Sequence, residues 1–301
     1  MKFIHPRVEV IEQQPGIEGI KKQIEIAGRT AYKSEGNITE DSYEKFVDML
    51  IQKDHGAALE HGTVYLKIEY QYDFSSIVAD KYIQNKYSEV HKVINDESLA
   101  TTWYITTNYR VIIENEWLDD LKYQVEPTEY HIRRVTFRIT CSRAVGTELT
   151  RHRAFSFLQE STRYVNYKEG ITCIIPSWCN DVEEGEEFTE DALDPGTVMT
   201  QILQGKRSEA TLIFASAGVM TEKAYTSMVT ELKMKPQVAR DALPLGLKTE
   251  IVMTGTIPQW EGFLKLRSPE HGAHGVHPDM AVIANQIRDM LIHMNYLKVN
   301  D

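Results

Sequence analysis

Residues 132–141, Ile-Arg-Arg-Val-Thr-Phe-Arg-Ile-Thr-Cys, alternate between apolar and polar side chains. Successive side chains of a strand point to opposite faces, so a period of two reads as a strand. Residues 63–70, Thr-Val-Tyr-Leu-Lys-Ile-Glu-Tyr, alternate in the same way. Elsewhere the period is helical. Ile17, Ile20, Ile24 and Ala27 predict a helix over 17–32. A second helix is expected after Thr39 as N-cap, with Glu40 and Asp41 in its first turn and Phe46, Met49 and Leu50 on its apolar face. Further helices are expected over about 142–153, 207–231, just before Leu243-Pro244, and over 258–267, where Pro258 suits the first position. A last helix starts near Pro278 and buries Met280, Ile283, Ile287, Met290 and Leu291. Residues 247–255 read as a strand. Residues 71–130 lack a clean period and read as short helices around 80–95 and 98–110. With no repeat and no Gly/Ser linker, the chain reads as one α+β domain over residues 1–301, expanded at about 71–130.

The net charge of -11 argues against a protein that coats nucleic acid, because phosphate binding needs a basic face. No stretch reaches the roughly 18 apolar residues of a membrane span, and His5, Pro6 and Arg7 interrupt any leader-like run at the start. Cys141, Cys173 and Cys179 have neither Cys-x-x-Cys spacing nor the density of a disulfide scaffold. Reduced thiols in a cytoplasmic protein are the simplest reading. The acidic run at 182–195 reads as a solvated loop. His271, His274 and His277 have ligand-like spacing, but Gly272, Gly275 and Pro278 break any helical face, so a loop rather than a metal site is expected.

One segment departs from the acidic background. Arg151-His152-Arg153-Ala154-Phe155-Ser156-Phe157-Leu158-Gln159-Glu160-Ser161-Thr162-Arg163-Tyr164 interleaves three arginines with aromatic and hydroxyl residues. Guanidinium groups form paired, charge-assisted hydrogen bonds to phosphate oxygens, and serine hydroxyls can complete such a pocket. A phosphate monoester carrying a flat polar ring is a natural guest, and a solvated basic turn is the bland alternative. Trp260 and Tyr164 read as packing residues.

This segment resembles the signature of the flavin-dependent thymidylate synthases: Arg-His-Arg, seven residues, then Ser, with Arg163 and Tyr164 extending the match. Similarity continues at Ala27-Gly28-Arg29-Thr30, at His55 and Leu59-Glu60-His61, at Ala239-Arg240-Asp241-Ala242-Leu243-Pro244 and at Phe263-Leu264-Lys265-Leu266-Arg267. The resemblance covers roughly 15–70 and 130–295 and points to the longer bacterial and phage branch. It implies an α+β fold with an antiparallel sheet packed with helices, a homotetramer with shared active sites, and methylation of dUMP to dTMP. FAD is the implied cofactor, with NADPH and 5,10-methylenetetrahydrofolate as co-substrates.

Carried over residue by residue, the resemblance implies that Glu148, Arg151, Gln159, Glu160, Ser161, Thr162, Arg163, Arg240 and Arg267 form the dUMP site. His55, Arg151, His152, Arg153 and Gln159 would meet FAD, and Glu60 would orient its neighbours. Arg267 and His55 are the implied catalytic residues. Arg267 would lie against the uracil ring and favour its electron-rich, deprotonated form. No metal and no enzyme nucleophile is implied, because the cofactor carries the hard chemistry. Several positions depart from the common pattern: Leu158 and Gly262 replace asparagines, Thr256-Ile257-Pro258 replaces an Asn-x-Arg flavin contact, and Ala57 replaces a hydroxyl residue. Two rivals follow. One is a thymidylate synthase with a cysteine nucleophile, for which Cys179 is the nearest candidate. The other is a non-catalytic nucleotide-binding homologue that has lost flavin.

Overall fold

The alternating stretch at 132–141 becomes the middle of the main sheet. The computed structural model describes residues 1–70, 76–95 and 100–298. Strands β1 (Lys2–Ile4) and β2 (Arg7–Ile11) lead into helices α1 (Gly16–Tyr32), α2 (Ser42–Gln52) and α3 (Gly56–Leu59). They are followed by β3 (Thr63–Tyr70), α4 (Ser76–Ile83), β4 (Glu89–Ile94), β5 (Thr101–Asn108) and α5 (Tyr109–Glu114). Next come β6 (Arg134–Ser142), α6 (Arg143–Leu149), β7 (Ser156–Gln159) and β8 (Thr172–Ile174). The C-terminal part holds α7 (Pro195–Leu203), α8 (Glu209–Thr230), α9 (Pro236–Ala239), β9 (Lys248–Thr256), α10 (Ile257–Arg267) and α11 (Pro278–His293).

The main sheet is antiparallel, with strand order β2-β6-β9-β7. One face carries Val135, Phe137, Ile139 and Cys141 of β6 with Ile251 and Met253 of β9, packed on Trp260, Phe263 and Leu264 of α10 and on Met280, Ile283, Ile287 and Leu291 of α11. Trp260 is fully buried, and its Nε1 donates to the Val135 carbonyl at 3.2 Å, so its one polar atom is satisfied. Helix α1 packs against β7 and β9. A second antiparallel sheet, β3-β5-β4, packs its apolar residues on Ile20, Ile24, Phe46 and Leu50 of α1 and α2. The third layer joins parallel strands β1 and β8 to Leu212, Ala215 and Val219 of α8.

The expected helices around 80–95 and 98–110 are corrected. Helix α4 ends at Ile83, and the rest is the hairpin partner pair β4 and β5. The run Thr101-Thr-Trp-Tyr-Ile-Thr-Thr is rich in β-branched and aromatic residues, which fit a pleated surface better than a helix. Residues 71–75 and 96–99 lie outside the described residues. Helix α2 starts two residues later than expected, with Asp41 at its cap; Thr39 instead donates its N–H to the Ser42 hydroxyl. Helix α6 stops at Leu149 rather than Arg153, so the arginine segment leaves the helix as a turn. Met290 is partly rather than fully buried. The acidic run is exposed at Glu183, Glu184 and Glu187 but is anchored by buried Val182 and Phe188.

Candidate active site

Because α6 ends early, Thr150–Phe155 turns tightly on backbone bonds, among them His152 N to Leu149 O at 3.0 Å and Phe155 N to His152 O at 3.1 Å. The turn leaves Arg151 and Arg153 exposed, while Phe155 returns to the core against Trp260. His152 is half-buried, and its ring packs edge-on against Phe263. Its Nε2 lies 3.1 Å from Nε of Arg267, the last residue of α10. A guanidinium only donates, so His152 accepts there and is neutral, with its proton on Nδ1. Burial, reinforced by the Arg267 charge, lowers the His152 pKa. Glu148 lies 3.7 Å from the other end of the same guanidinium. Glu148, His152 and Arg267 therefore form one cluster that fixes the arginine in place.

The second half of the segment is held from below. Glu160 is buried, and its carboxylate accepts from the Tyr167 hydroxyl at 3.1 Å and from Lys248 Nζ at 3.0 Å. Lys248 also pairs with Glu250 at 2.6 Å, and Glu250 pairs with Lys33 at 2.6 Å. Burial works against the Lys248 charge, but Glu160 and Glu250 outweigh it and the pKa is raised. Burial likewise opposes the Glu250 charge, yet the two lysines hold its pKa down. With its oxygens committed, Glu160 supports the segment from inside. Above it, Ser161 N donates to the Ala31 carbonyl at 3.0 Å, and its Oγ accepts from Arg163 N at 3.3 Å. Thr162 is buried, whereas Arg163 and Tyr164 are exposed, with the guanidinium 5.8 Å from the Tyr164 ring centre. Tyr164 is thus an exposed ring 5.2 Å from that of Tyr32, not the packing residue its sequence position suggests. Gln159 Nε2 donates to Thr249 Oγ1 at 3.3 Å. Arg240 is exposed just after α9. Among the described residues, none of Arg151, Arg153, Arg163 and Arg240 has an intrachain ion-pair partner.

Of the expected residues, His55 and Ser161 line one of two clefts and Arg153 lines the second, while Glu148, Arg151, His152, Gln159, Glu160, Thr162, Arg163, Arg240 and Arg267 line neither. One, about 300 Å³, is lined by Tyr32, His55, Ala57, Leu158, Ser161 and Tyr164. Within it, His55 Nδ1 lies 2.9 Å from the Tyr32 hydroxyl. The other, about 370 Å³, is lined by Arg153, Ser156, Thr256 and Gln259 on one side and by β4, β5 and α5 residues on the other. A third cleft, about 390 Å³, between Gln13, Gln23 and Arg133, holds none of the expected residues. Arg134, which the sequence did not single out, touches both of the larger clefts. Among the described residues its guanidinium donates only to neutral oxygens: the Glu60 carbonyl at 3.1 Å, Thr63 Oγ1 at 3.3 Å and Ser156 Oγ at 3.5 Å. Burial lowers its pKa. A half-buried cation with no carboxylate hydrogen-bonded to it among the described residues, in the same cleft as unpaired Arg153, suits a phosphate-bearing cofactor. Lys33, Lys248, Glu250 and Arg134 carry no local motif; only three-dimensional proximity gives them away.

His277 caps α11 by accepting from Asp279 N at 3.3 Å, a loop role consistent with its setting between Gly275 and Pro278. All three cysteines are buried. Burial pushes Cys141 and Cys173 up to about 12 and raises Cys179 as well, so all three are protonated thiols at neutral pH.

The family model described as "Thymidylate synthase complementing protein" matches residues 114–293, well over half of the chain. The chain belongs to this family. Among curated relatives, a flavin-dependent thymidylate synthase of Mycolicibacterium vanbaalenii is 35% identical over 138 residues, 46% of this chain and 50% of the relative. One of Mycobacterium tuberculosis is 31% identical over 138 residues, with the same coverage. The chain thus spans about half the length of the curated relatives it matches. Among solved structures, a UMP/dUMP methylase PolB of Streptomyces cacaoi bound with 5-Br UMP is 14% identical, with a TM-score of 0.43, over 97% of this chain and 92% of that one. Thymidylate synthase ThyX of Helicobacter pylori with FAD and dUMP is 16% identical, with a TM-score of 0.40, over 96% of each chain. Family membership and the antiparallel α+β architecture fulfil the expectation drawn from the Arg-His-Arg segment. No described helix is long and apolar enough to cross a membrane.

Proposed function

We propose that this chain is a flavin-dependent thymidylate synthase that converts dUMP to dTMP with FAD, 5,10-methylenetetrahydrofolate and NADPH. The observation that carries the reading is the Arg151–Arg163 segment: exposed arginines with no ion-pair partner among the described residues stand on a base locked by Glu160, Lys248 and Glu250. Arg151, Arg163, Arg240 and the Ser161 hydroxyl bind the nucleotide phosphate and sugar. Gln159 and Thr162 hold the edge of that pocket. Arg267 meets the uracil, kept at a fixed angle by neutral His152 and by Glu148, and its permanent charge favours the electron-rich pyrimidine. His55, Arg151, His152 and Arg153 face the cofactor, and Glu60 aids by fixing Arg110 at 2.7 Å. FAD, when bound, supplies hydride and one-carbon transfer, so no thiolate is needed. The three buried, protonated cysteines accord with that.

The active form is a homotetramer with shared sites. Supporting this, the His55 cleft, the Arg153 cleft and the Arg267 cluster are separate in one chain. In addition, Ile213, Ala217, Met220 and Ala224 form an exposed stripe along α8 at helical spacing, a face suited to helix–helix docking. The chain acts as one domain with an expansion at 71–130, in the cytoplasm. Tritium release from dUMP labelled at carbon 5, with and without NADPH, tests the reading. Release that requires NADPH and folate is expected. Tight dUMP binding with no release under any flavin supply would replace the enzyme by a nucleotide-binding homologue.

A further inference from the structure

The cleft beside Arg153 has a wall that the family resemblance does not supply. Thr106 and Asn108, two apart on β5 and so on one face, line it together with Lys86, Tyr87 and Arg110. All belong to the expanded segment. The opposite wall holds Thr256, at the position where the family resemblance implies the first residue of an Asn-x-Arg flavin contact. Here Thr256 is used up locally: its Oγ1 accepts from Gln259 N at 3.4 Å and its N–H donates to Gln259 Oε1 at 2.7 Å, a capping box that starts α10.

The charges in the cleft are unevenly spent. Of the three carboxylates that line the cleft, Glu60 and Glu114 both bind Arg110, at 2.7 and 2.6 Å, and exposed Glu89 has no ion-pair partner among the described residues, against the four cations Lys86, Arg110, Arg134 and Arg153. Among the described residues no carboxylate lies within ion-pair distance of Lys86, Arg134 or Arg153. Arg134 donates to neutral oxygens alone, as described above. Thr106 is 2% exposed, and its hydroxyl has no hydrogen-bond partner among the described residues. A buried hydroxyl without a partner is costly, so the chain has kept it at a price in stability. Lys86 and Tyr87 are exposed, with the ammonium 4.8 Å from the ring centre.

We propose that this cleft holds the diphosphate of a dinucleotide, gripped by Arg134, Thr106 and Lys86 in place of the missing Asn-x-Arg. The proposal rests on the flavin-dependent reading for the presence of such a ligand. Arg134 and Arg153 neutralise the diphosphate from the main-sheet side, Lys86 does so from the solvent side, and Thr106 donates its hydroxyl. Tyr87 offers a flat ring to whatever base extends outward. FAD and NADPH share the diphosphate, and FMN lacks it.

The test is titration of wild type, Lys86→Ala, Thr106→Val and Arg134→Gln with FAD, NADPH and FMN, followed by flavin or nicotinamide fluorescence, with melting temperatures measured alongside. Arg134→Gln is expected to weaken a dinucleotide by about tenfold or more and Lys86→Ala by several-fold, with a smaller loss for FMN, which keeps one of the two phosphates, and none for dUMP. Thr106→Val separates binding from structure: it removes an unpaired buried hydroxyl, so the melting temperature rises while dinucleotide affinity falls. Should Arg134→Gln not fold, the other two variants decide. Loss of FAD affinity, or of NADPH affinity, supports the site and identifies its occupant. Folded Lys86→Ala and Thr106→Val proteins that bind both dinucleotides as wild type does would overturn it. Wild-type protein that binds dUMP but neither dinucleotide would overturn the flavin-dependent reading, and this proposal with it.

Discussion

Acid is expected to weaken the fold most strongly through one residue, His61. It is fully buried, with Nδ1 2.7 Å from Thr254 Oγ1, which in turn lies 2.7 Å from Thr136 Oγ1. Its Nε2 has no partner among the described residues. Burial, with a smaller contribution from Arg134, lowers its pKa from 6.5 to about 3. Above pH 6.5 the ring is neutral both folded and unfolded, so it contributes no pH dependence. Between 6.5 and about 3 the unfolded chain takes up a proton that the folded chain refuses, and stability falls as pH falls. Each pH unit costs about 1.4 kcal/mol, so by about pH 4.5 the loss is about 3 kcal/mol, a large part of a typical ~5–15 kcal/mol. Urea unfolding of wild type and His61→Gln from about pH 7 to about pH 4.5 measures it, because glutamine does not titrate. His131 and His152, also lowered by burial, remain in both proteins and cancel. The stability difference between wild type and variant should shift by about 3 kcal/mol against the wild type on acidification. A difference that stays constant with pH would refute the reasoning.

Three further outcomes are expected. Arg267→Ala loses a charged hydrogen bond worth ~1.5–3 kcal/mol, so dUMP affinity and turnover should drop about tenfold to hundredfold with an unchanged flavin spectrum; wild-type kinetics in this variant would remove Arg267 from the site. The triple change Cys141→Ala, Cys173→Ala, Cys179→Ala should retain dTMP synthesis in the folded fraction, and a folded protein that binds dUMP but turns over nothing would favour a thiolate mechanism. Met220→Glu places a charge in the exposed α8 stripe; light scattering should show smaller species and tritium release should vanish with the tetramer, whereas an active monomer contradicts shared sites.

Elements with a strong period were legible in the sequence: α1, β3, β6, α8, β9, α10 and α11 stand within a few residues of their expected bounds. The region from 80 to 110 was not, because β4 is mostly exposed and shows no clean apolar face, and the Thr-rich β5 is recognised only by its pairing with β3. The short strands β1, β2, β7 and β8 are three to five residues long, below the length at which a period can be counted. The proposed site is readable in the sequence where its chemistry is concentrated in one segment, Arg151 to Arg163. It was illegible where the chain assembles chemistry from afar: Lys248 and Glu250 alternate along a strand like any solvent-facing pair until the fold brings Glu160 against them. Tyr164 misled for the opposite reason, since an aromatic residue beside an arginine says nothing of its burial.

The C-terminal end of α1 carries a wider consequence. Lys33 closes the helix in a left-handed conformation, φ 51° and ψ 50°, which suits glycine better and costs a lysine on the order of 1 kcal/mol. Its ammonium reaches Glu250, while two residues earlier the Ala31 carbonyl receives the Ser161 N–H. Tyr32, between them, touches His55 and Tyr164. The last turn of α1 is therefore fastened to the nucleotide segment on one side and to the His55 cleft on the other. A nucleotide held at Ser161 and Arg163, as proposed, would also still Tyr32, so a cofactor reaching His55 in the same cleft would meet a wall whose freedom has already been removed. Nucleotide and cofactor, which on the proposed reaction must meet for hydride and carbon to pass, would then share a single ordering cost, and each would bind more tightly in the presence of the other.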